Sequence, residues 1–258
     1  MPTVNYFNKC LSTDKILNGV LKIFKDRFNL TSQGSHLDIG SGSGALVKLI
    51  KQVAPNFSSN CVDYTDKLID DKSIPLAVID LNFEKLPHND NSFDFVTCTE
   101  VIEHLENYRL IIREAFRVTK PGGLAVFTTP NVLNLNSRLR YFNFGFHSLF
   151  GPLPINRDEA FSTGGHITPV QYFYLAHSLA EAGFTNIEVQ FDKKQTSAIP
   201  WLILLYPLIN VFSYMASRRE ARKGFINEKN RSLIQPIKSI DMLLGRTIIV
   251  SAKKLENF

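Results

Sequence analysis

The sequence is poor in the features that mark secreted, metal-clustered or nucleic-acid-binding proteins. Its three cysteines, Cys10, Cys61 and Cys98, have neither metal-ligand nor disulfide spacing, which fits a reducing compartment. The net charge of +5 is small, and no basic run interleaved with aromatic residues predicts a nucleic-acid groove. The first residues lack the long apolar core of a signal peptide. These absences favour a cytoplasmic protein that does not bind nucleic acid.

The chain does contain a loop of three alternating glycines, Gly40, Gly42 and Gly44, between a short apolar strand and an apolar helical segment. Glycines at this spacing let the backbone turn tightly and let a ligand approach without meeting a Cβ. Asp38 stands two residues before the first glycine. A carboxylate there would repel the pyrophosphate of a dinucleotide but attract an ammonium or sulfonium group. The loop, including Ser41, therefore predicts a site for S-adenosylmethionine (SAM) rather than NAD.

Acidic residues end the next two predicted strands. Asp63 ends the strand at 60–63, about 20 residues beyond the loop, where a carboxylate can accept hydrogen bonds from ribose hydroxyls. Asp80 ends the strand at 76–80 and is placed to accept from the exocyclic amine of an adenine ring. We assign Leu81, which follows Asp80, and Thr99, which follows a fourth strand at 93–98, to the same cofactor site.

Strands alternate with helices up to a fifth strand at 124–129, which indicates a parallel sheet covered on both faces. With the glycine loop, the two acidic strand ends and the Lys-Pro-Gly-Gly turn at 120–123, the sequence resembles the class I SAM-dependent methyltransferases. The resemblance implies an α/β fold: a doubly wound, Rossmann-like sheet of seven strands, mostly parallel, with a C-terminal antiparallel hairpin at 187–191 and 246–252. The methyltransferase domain would comprise residues 1–191 and 244–258, interrupted by an insertion at 192–243.

Glu100, Glu103 and His104, directly after the fourth strand, form a second group of reactive side chains. A helix beginning here would place them at i, i+3 and i+4 on one face. Two carboxylates and an imidazole repel one another unless a proton or cation lies between them, and such ligands suit Mg²⁺ or Mn²⁺. In the alternative, the acids stabilise a helix N-terminus and His104 is a hydrogen-bonded wall residue.

The Glu-Val-Ile-Glu-His string resembles the metal-binding motif of the O-methyltransferases of ubiquinone biosynthesis and of the enzymes that methylate the 2′-hydroxyl at small-RNA 3′ ends. In the RNA group a further histidine downstream completes the site, and His166 stands at the corresponding distance here. The resemblance implies a metal site of Glu100, Glu103, His104 and His166, with His104 and Glu103 as catalytic residues. A metal would lower the pKa of the oxygen being methylated; without one, His104 would be a general base.

The connection after the fifth strand, 131–166, is rich in aromatic and arginine side chains and contains the helix-breaking run 151–154. In the resembled fold this connection lies over the methyl-donor end of the cleft, so it is the expected substrate lid. The alternative is that the aromatic side chains are buried against the sheet. Thr168 and Pro169 then predict the start of a helix that ends at Gly183.

Residues 198–217 carry no charge, and a basic cluster follows at 218–223. The stretch is long enough to span a bilayer, but the two strands that flank it must pair in one sheet, and Pro200 and Pro207 are expected to break a straight helix. We therefore expect a re-entrant or interfacial element, with Trp201, Tyr206 and Tyr214 at headgroup depth and the arginines on anionic lipid. A buried helical insertion or a homodimer contact is the alternative.

These observations together predict a methyltransferase that acts on a hydroxyl of a small, lipid-linked, quinone-like or glycan acceptor, peripheral on the cytoplasmic face of a membrane. One alternative is a methyltransferase for RNA or protein, which the missing basic groove disfavours. Another is an NAD-dependent oxidoreductase, although we find no convincing Tyr-x-x-x-Lys dyad. A third is a non-catalytic scaffold with the same fold, against which the intact glycine loop and Asp63 argue.

Overall fold

In the computed structural model, residues 13–153 and 165–256 are described, and they build one seven-stranded sheet. Its strands are β1 (Gly34–Ile39), β2 (Phe57–Asp63), β3 (Leu76–Val78), β4 (Phe93–Thr99), β5 (Thr119–Pro130), β6 (Phe184–Phe191) and β7 (Thr247–Lys254). The order across the sheet is β3-β2-β1-β4-β5-β7-β6. The first five strands pair in parallel, and β7 lies antiparallel between β5 and β6. The predicted α/β sheet with its antiparallel hairpin is confirmed.

Eight helices accompany the sheet in the described part of the chain. They are α1 (Asp14–Arg27), α2 (Ala45–Val53), α3 (Tyr108–Val118), α4 (Leu135–Phe144), α5 (Tyr172–Ala182), α6 (Ile199–Arg222), α7 (Arg231–Ile234) and α8 (Ile240–Leu244). Short 3₁₀ turns occupy Ile102–His104, Thr196–Ala198 and Gln235–Lys238.

Two apolar layers fill the space between sheet and helices. On one face, α1 and α2 bury Phe24 and Leu46 against Phe57 and Phe95. The ring centroid of Phe24 lies 5.0 Å from that of Phe57 and 5.3 Å from that of Phe95. On the other face, α3 and α5 pack on the alternate strand residues, such as Val96, next to Phe95 in β4. Because successive side chains of a strand point to opposite faces, both layers use the same strands.

Several predicted boundaries are wrong by a few residues. β3 ends at Val78, and β5 begins at Thr119, so the turn predicted at 120–123 lies within the strand. α5 begins at Tyr172 after Gln171, not at Thr168. The Thr168 hydroxyl donates instead to the carbonyl of Leu105 at 2.6 Å. Gly183 does end α5, with a left-handed φ of 110°.

The uncharged stretch forms α6, a 24-residue helix that continues through Pro207. Leu202, Leu205 and Ile209 pack on a small cluster of Leu135, Ala198 and Leu244. No residue of α6 is buried in the described structure, so the alternative of a buried helical insertion is wrong. With the turn before it, α6 is long and apolar enough to cross a membrane.

The part of the predicted insertion that follows α6 contributes residues to the core of the domain. Leu233 of α7 and Met242 of α8 belong to the main core beside β7. Of the residues predicted as an insertion, those of α6 include none that is buried, whereas α8 buries Met242, Leu243 and Leu244.

Candidate functional site

The glycine loop lies at the edge of the sheet where the parallel strands end. Gly40, Gly42 and Gly44 have φ values of 71°, 51° and 74°, a left-handed backbone that glycine adopts without strain. A Cβ added to Gly42 would meet no atom of the described chain within 4 Å. The Gly42 N–H donates to a carboxylate oxygen of Asp63 at 2.8 Å. The loop therefore has open space in front of it and is tied to the end of β2.

Asp38 is buried behind this loop in a chain of polar groups. The Thr97 hydroxyl donates to Asp38 Oδ1 at 2.7 Å and lies 2.8 Å from Nε2 of His36, whose Nδ1 is 3.1 Å from the Ser59 hydroxyl. Burial raises the pKa of Asp38 to about 7, against the effect of the Thr97 hydrogen bond, and nearby Asp63 raises it further. A cationic ligand group facing Asp38 would reverse that shift.

The supporting side chains His36 and Thr97 were missed in the sequence. Their signal is the alternation of the strands: His36 and Asp38 are two residues apart in β1 and share a face, opposite Thr97 in the paired β4. Burial lowers the pKa of His36 to about 3, so its ring stays neutral and acts as a hydrogen-bonding prop.

The remaining predicted cofactor residues differ in their burial and hydrogen bonding. Burial also raises the pKa of Asp63. The hydroxyls of Ser41 and Thr99 are buried and have no hydrogen-bond partner among the described residues, so each is free to bond a ligand. Leu81 is buried. Asp80 is exposed, and its Oδ1 accepts from the N–H of Asn82 at 2.9 Å. Open glycine backbone, two buried carboxylates and two unpartnered hydroxyls fit the amino-acid and ribose parts of SAM.

A second cluster lies directly after β4. Glu103, His104 and His166 each offer a ligand atom, and these atoms lie within 4.8 Å of one another. The rings of His104 and His166 have centroids 4.8 Å apart and meet edge to face. His104 Nδ1 lies 2.9 Å from the carbonyl oxygen of Gly165. That contact makes Nδ1 the protonated nitrogen and leaves the lone pair on Nε2.

The ionisation of this cluster is strongly perturbed. Glu103 is fully buried, and neither carboxylate oxygen has a hydrogen-bond partner in the described chain. Burial, and then the neighbouring Glu100, raise the pKa of Glu103 well above its usual range. Burial lowers the pKa of His104, and burial with the neighbouring His104 lowers that of His166 to about 4. Both imidazoles are therefore neutral at pH 7 and can act as a base or a metal ligand.

Glu100 does not belong to this cluster, so the predicted four-ligand site is wrong in that member. Its φ of 56° is left-handed, and the short helical turn begins only at Ile102. Without a helix from Glu100, the i, i+3, i+4 relation fails. Its carboxylate instead accepts from the Thr128 hydroxyl at 3.1 Å. Burial chiefly raises the pKa of Glu100 to about 7.

The two clusters share one edge of the sheet. β1 and β4 are paired, with Asp38 opposite Thr97, and a Cβ on Gly40 would clash with the side chain of Val101, which adjoins Glu100. The glycine loop and the Glu103 cluster are therefore packed together.

The predicted lid is partly described. Beyond β5, α4 carries Tyr141, Phe142 and Phe144 on its exposed surface, so the alternative of wholesale burial is wrong for these rings. Phe150 is the buried exception, with its ring centroid 5.2 Å from that of His166. The part of the predicted lid at 154–164, with Arg157, lies outside the described residues.

Comparisons with known proteins agree with this geometry. A family model described as a methyltransferase domain matches residues 14–189. Demethylmenaquinone methyltransferase of Geobacillus kaustophilus is 30% identical over 179 residues, which cover 64% of this chain and 76% of that protein. The ubiquinone/menaquinone biosynthesis C-methyltransferase of Rickettsia prowazekii is 30% identical, covering 66% of this chain and 72% of that protein. The ubiquinone biosynthesis O-methyltransferase of Rickettsia bellii is 29% identical, covering 45% and 50%.

Solved structures share the fold. A SAM-dependent methyltransferase from Archaeoglobus fulgidus superposes with a TM-score of 0.58 at 17% identity, covering 94% of this chain and 95% of that one. Phosphoethanolamine N-methyltransferase 2 of Haemonchus contortus, in complex with SAM, gives 0.52 at 19% identity, covering 93% and 53%. With its glycine loop, its strand order and the match over most of its length, this chain belongs to the class I SAM-dependent methyltransferases.

Proposed function

We propose that this protein methylates a hydroxyl oxygen of a small, lipid-linked, quinone-like or glycan acceptor at a membrane surface. The observation that carries the proposal is the convergence of Glu103, His104 and His166 beside the cofactor loop. A neutral imidazole can take a proton from a hydroxyl, and the buried Glu103 carboxyl beside it can polarise that hydroxyl. When bound, SAM supplies an electrophilic methyl group, so the remaining tasks are to align the acceptor and activate its oxygen.

His104 is the group proposed to receive the proton. The Gly165 carbonyl holds the hydrogen on Nδ1, so Nε2 keeps a lone pair at neutral pH. His166 stands against it edge to face and restricts the rotation of the ring. Phe150 covers His166, which keeps bulk water away from that side of the cluster.

The environment of the Glu103 carboxylate favours a bound divalent cation at this position. A buried carboxylate with two unpartnered oxygens is costly unless it is protonated or bound to a cation. One carboxylate and two imidazoles match the donors that Mn²⁺ or Mg²⁺ accepts. In this proposal Glu103, His104 and His166 would hold the ion, which would bind the acceptor oxygen and lower its pKa.

The similar proteins include both C-methyltransferases and O-methyltransferases by name. The first experiment therefore determines whether the methyl group is transferred to an oxygen or to a carbon atom of the acceptor. The test supplies SAM with a ¹³C-labelled methyl group, together with hydroxylated quinols and lipid-linked sugars, and identifies the product by NMR. A methoxy carbon supports the proposal, whereas a methyl carbon on a ring contradicts it.

The role of the cluster is tested with His104→Gln and Glu103→Gln. His104→Gln should lower kcat by about 100-fold or more, the range of general acid–base catalysis, while the affinity for SAM stays unchanged. His177→Gln is the matched control, since His177 is on the surface of α5 and faces Glu181. If a metal acts, EDTA inactivates the wild type and Mg²⁺ or Mn²⁺ restores it. Activity unaffected by EDTA would leave general-base catalysis without a metal.

The membrane part of the proposal is supported by α6. Opposite its packed face, Leu204, Leu208, Val211 and Met215 follow helical spacing and are all more than half exposed. Such a contiguous apolar surface marks a membrane or protein interaction site. Arg218, Arg219, Arg222 and Lys223 follow at the end of the helix, and basic clusters of this kind bind anionic lipid. The strands on either side of the insertion pair with each other, so the helix is proposed to lie in the interface rather than to cross the bilayer.

Flotation with anionic liposomes tests this placement. The wild type should float, and the triple variant Leu204→Glu, Leu208→Glu, Val211→Glu should not. Glutamates at Asn210, Ser213 and Ser217, on a more polar stripe of the same helix, provide a control with equal charge. Wild-type protein that stays at the bottom of the gradient as a monodisperse dimer would make α6 a homodimer contact.

A further inference from the structure

A second polar site adjoins the proposed methylation site. It is a cavity of ≈ 440 Å³ at the carboxyl edge of the sheet, between the end of β5 and the start of α6; we call it the basic cavity. Twelve residues line it, of which three are cationic and none is acidic in the described chain. The cationic residues are Lys193, Lys194 and Arg246. The volume lies within the range of small-molecule sites, roughly 300–1,000 Å³.

Two of these cations form no salt bridge within the described residues, although Arg246 lies near enough to Glu100 to oppose the rise that burial causes in the pKa of that carboxyl. Lys194 pairs with Asp241 at 2.8 Å. Within residues 13–153 and 165–256, neither Lys193 nor the half-buried Arg246 forms a salt bridge with a carboxylate. Two backbone hydrogen bonds fix the position of Arg246. Its N–H donates to the Lys193 carbonyl at 3.0 Å, and its carbonyl accepts from the Asn131 N–H at 2.9 Å. The two side chains therefore start from a rigid frame.

The N-terminus of α4 opens on the same cavity. α4 begins at Leu135 after its cap residue Asn134, whose side chain accepts from the Ser137 N–H at 2.8 Å. The Asn136 amide joins this turn of α4 to the chain around the 3₁₀ turn Thr196–Ala198: Nδ2 donates to Gln195 Oε1 at 2.6 Å and to the Ser197 hydroxyl at 3.1 Å. Because the first N–H groups of a helix lack intrahelical acceptors and carry partial positive charge, the start of α4 favours an anion.

The basic cavity is next to the residues proposed to act on the acceptor. Leu149 is part of its wall, and the ring centroid of Phe150, the next residue, lies 5.2 Å from that of His166. α6 leads away from the cavity with exposed Ile199 and Trp201 in its first turn. A molecule with an anionic group in the cavity could place a hydroxyl near His166 and an apolar tail along α6.

We propose that the basic cavity binds the phosphate or diphosphate group of the methyl acceptor. Three cationic side chains, two of them without a salt bridge in the described chain, and the start of α4 match the charge and the several acceptor oxygens of a phosphate. A neutral quinone would leave these groups without a partner. The inference rests on the proposed function, since it names the class of acceptor for the same site: a phosphate-bearing molecule with a hydroxyl to be methylated.

Calorimetric titration with inorganic phosphate and inorganic diphosphate tests the cavity without any turnover. We expect saturable binding that Arg246→Gln weakens by about tenfold or more, with a further loss in the double variant with Lys193→Gln, as for the removal of charge-assisted hydrogen bonds. Lys229→Gln, an exposed lysine in the loop before α7, is the control and should bind like the wild type. SAM affinity should be equal in all four proteins, which shows that the fold and the cofactor loop are intact.

Two competition arms identify the source of the phosphate. Phosphatidylcholine vesicles containing phosphatidic acid should displace diphosphate if the ligand is a lipid headgroup, whereas a soluble sugar phosphate should displace it if the ligand is free. Either result supports the site. Absence of phosphate and diphosphate binding, or equal binding by the wild type and the double variant, overturns it. Because SAM binding and methylation of a neutral quinol are measured separately, failure of the proposed methyl transfer is distinguished from failure of the cavity.

Discussion

Acidification should weaken SAM binding chiefly by protonating Asp38. Its pKa in the ligand-free protein is raised to about 7 by burial, and only the ionised carboxylate attracts the ammonium group of SAM. With that pKa, the ionised fraction falls roughly eightfold between pH 7.5 and pH 6. The dissociation constant should rise by the same factor, and close to one proton should be released per SAM bound at pH 6.

Isothermal titration calorimetry in two buffers with different ionisation enthalpies measures both quantities. Asp38→Asn provides the comparison, since the amide oxygen can still accept from the Thr97 hydroxyl that now bonds Asp38 at 2.7 Å. Loss of the charge-assisted interaction, about 1.5–3 kcal/mol, should weaken SAM binding by roughly 10- to 150-fold at pH 7.5. The variant should also lose the pH dependence, because the amide does not titrate.

The unfolding free energy gives an independent check. A pKa raised on folding means that the stabilising contribution of Asp38 is present below its unfolded value and is lost as the pH rises through about 7. The stability of the wild type relative to Asp38→Asn should therefore decrease over that interval. A wild-type SAM affinity that is flat from pH 6 to 7.5, or a variant with the same pH dependence as the wild type, would refute the role of Asp38.

Three further predictions concern the frame around the site. Gly42→Val should abolish SAM binding without unfolding the protein, because the side chain fills the open space before the loop; Gly42→Ala, with its smaller side chain, should retain more affinity, and a thermal-shift assay with SAM compares them. His36→Gln should destabilise the protein more at pH 7 than at pH 4 in urea unfolding, because a pKa lowered to about 3 gives stability that is full above about 6.5 and is lost as the pH falls. Phe24→Ala should cost about 3–5 kcal/mol of unfolding free energy, since the ring is fully buried.

The cofactor half of the site could be predicted from local sequence. Left-handed glycines and acids at strand ends depend on neighbours within a few residues, so their positions follow from the motif. The family match and the strand order agree with that prediction.

The cluster of Glu103, His104 and His166 could not be predicted fully from local sequence, because it depends on contacts between residues that are distant in sequence. Glu100 leaves the predicted helical face because its backbone is left-handed and Thr128 of the adjacent strand holds its carboxylate. His166 reaches His104 only because the backbone N–H groups of Ile167 and Thr168 bond the carbonyl of Glu103 at 2.9 and 3.0 Å. The prediction that Pro207 would break a straight helix is also wrong, because α6 continues through it. A proline removes one backbone hydrogen bond and disfavours a helix, but a helix of 24 residues keeps its other backbone hydrogen bonds.

The position of β7 has a consequence for how the chain folds. This strand occupies the space between β5 and β6, yet it follows α6 in the sequence. Until β7 is synthesised, the edge of β5 has no antiparallel partner and β6 cannot join the sheet. The exposed apolar residues of α6 leave the ribosome during this interval.

An unpaired strand edge and an apolar helix exposed together are the conditions under which nascent chains aggregate or bind chaperones. The pairing of Thr128 with Ile249 joins residues more than a hundred positions apart, and contacts so distant in sequence form slowly. An early encounter of α6 with a membrane would cover its apolar surface while the sheet is still open.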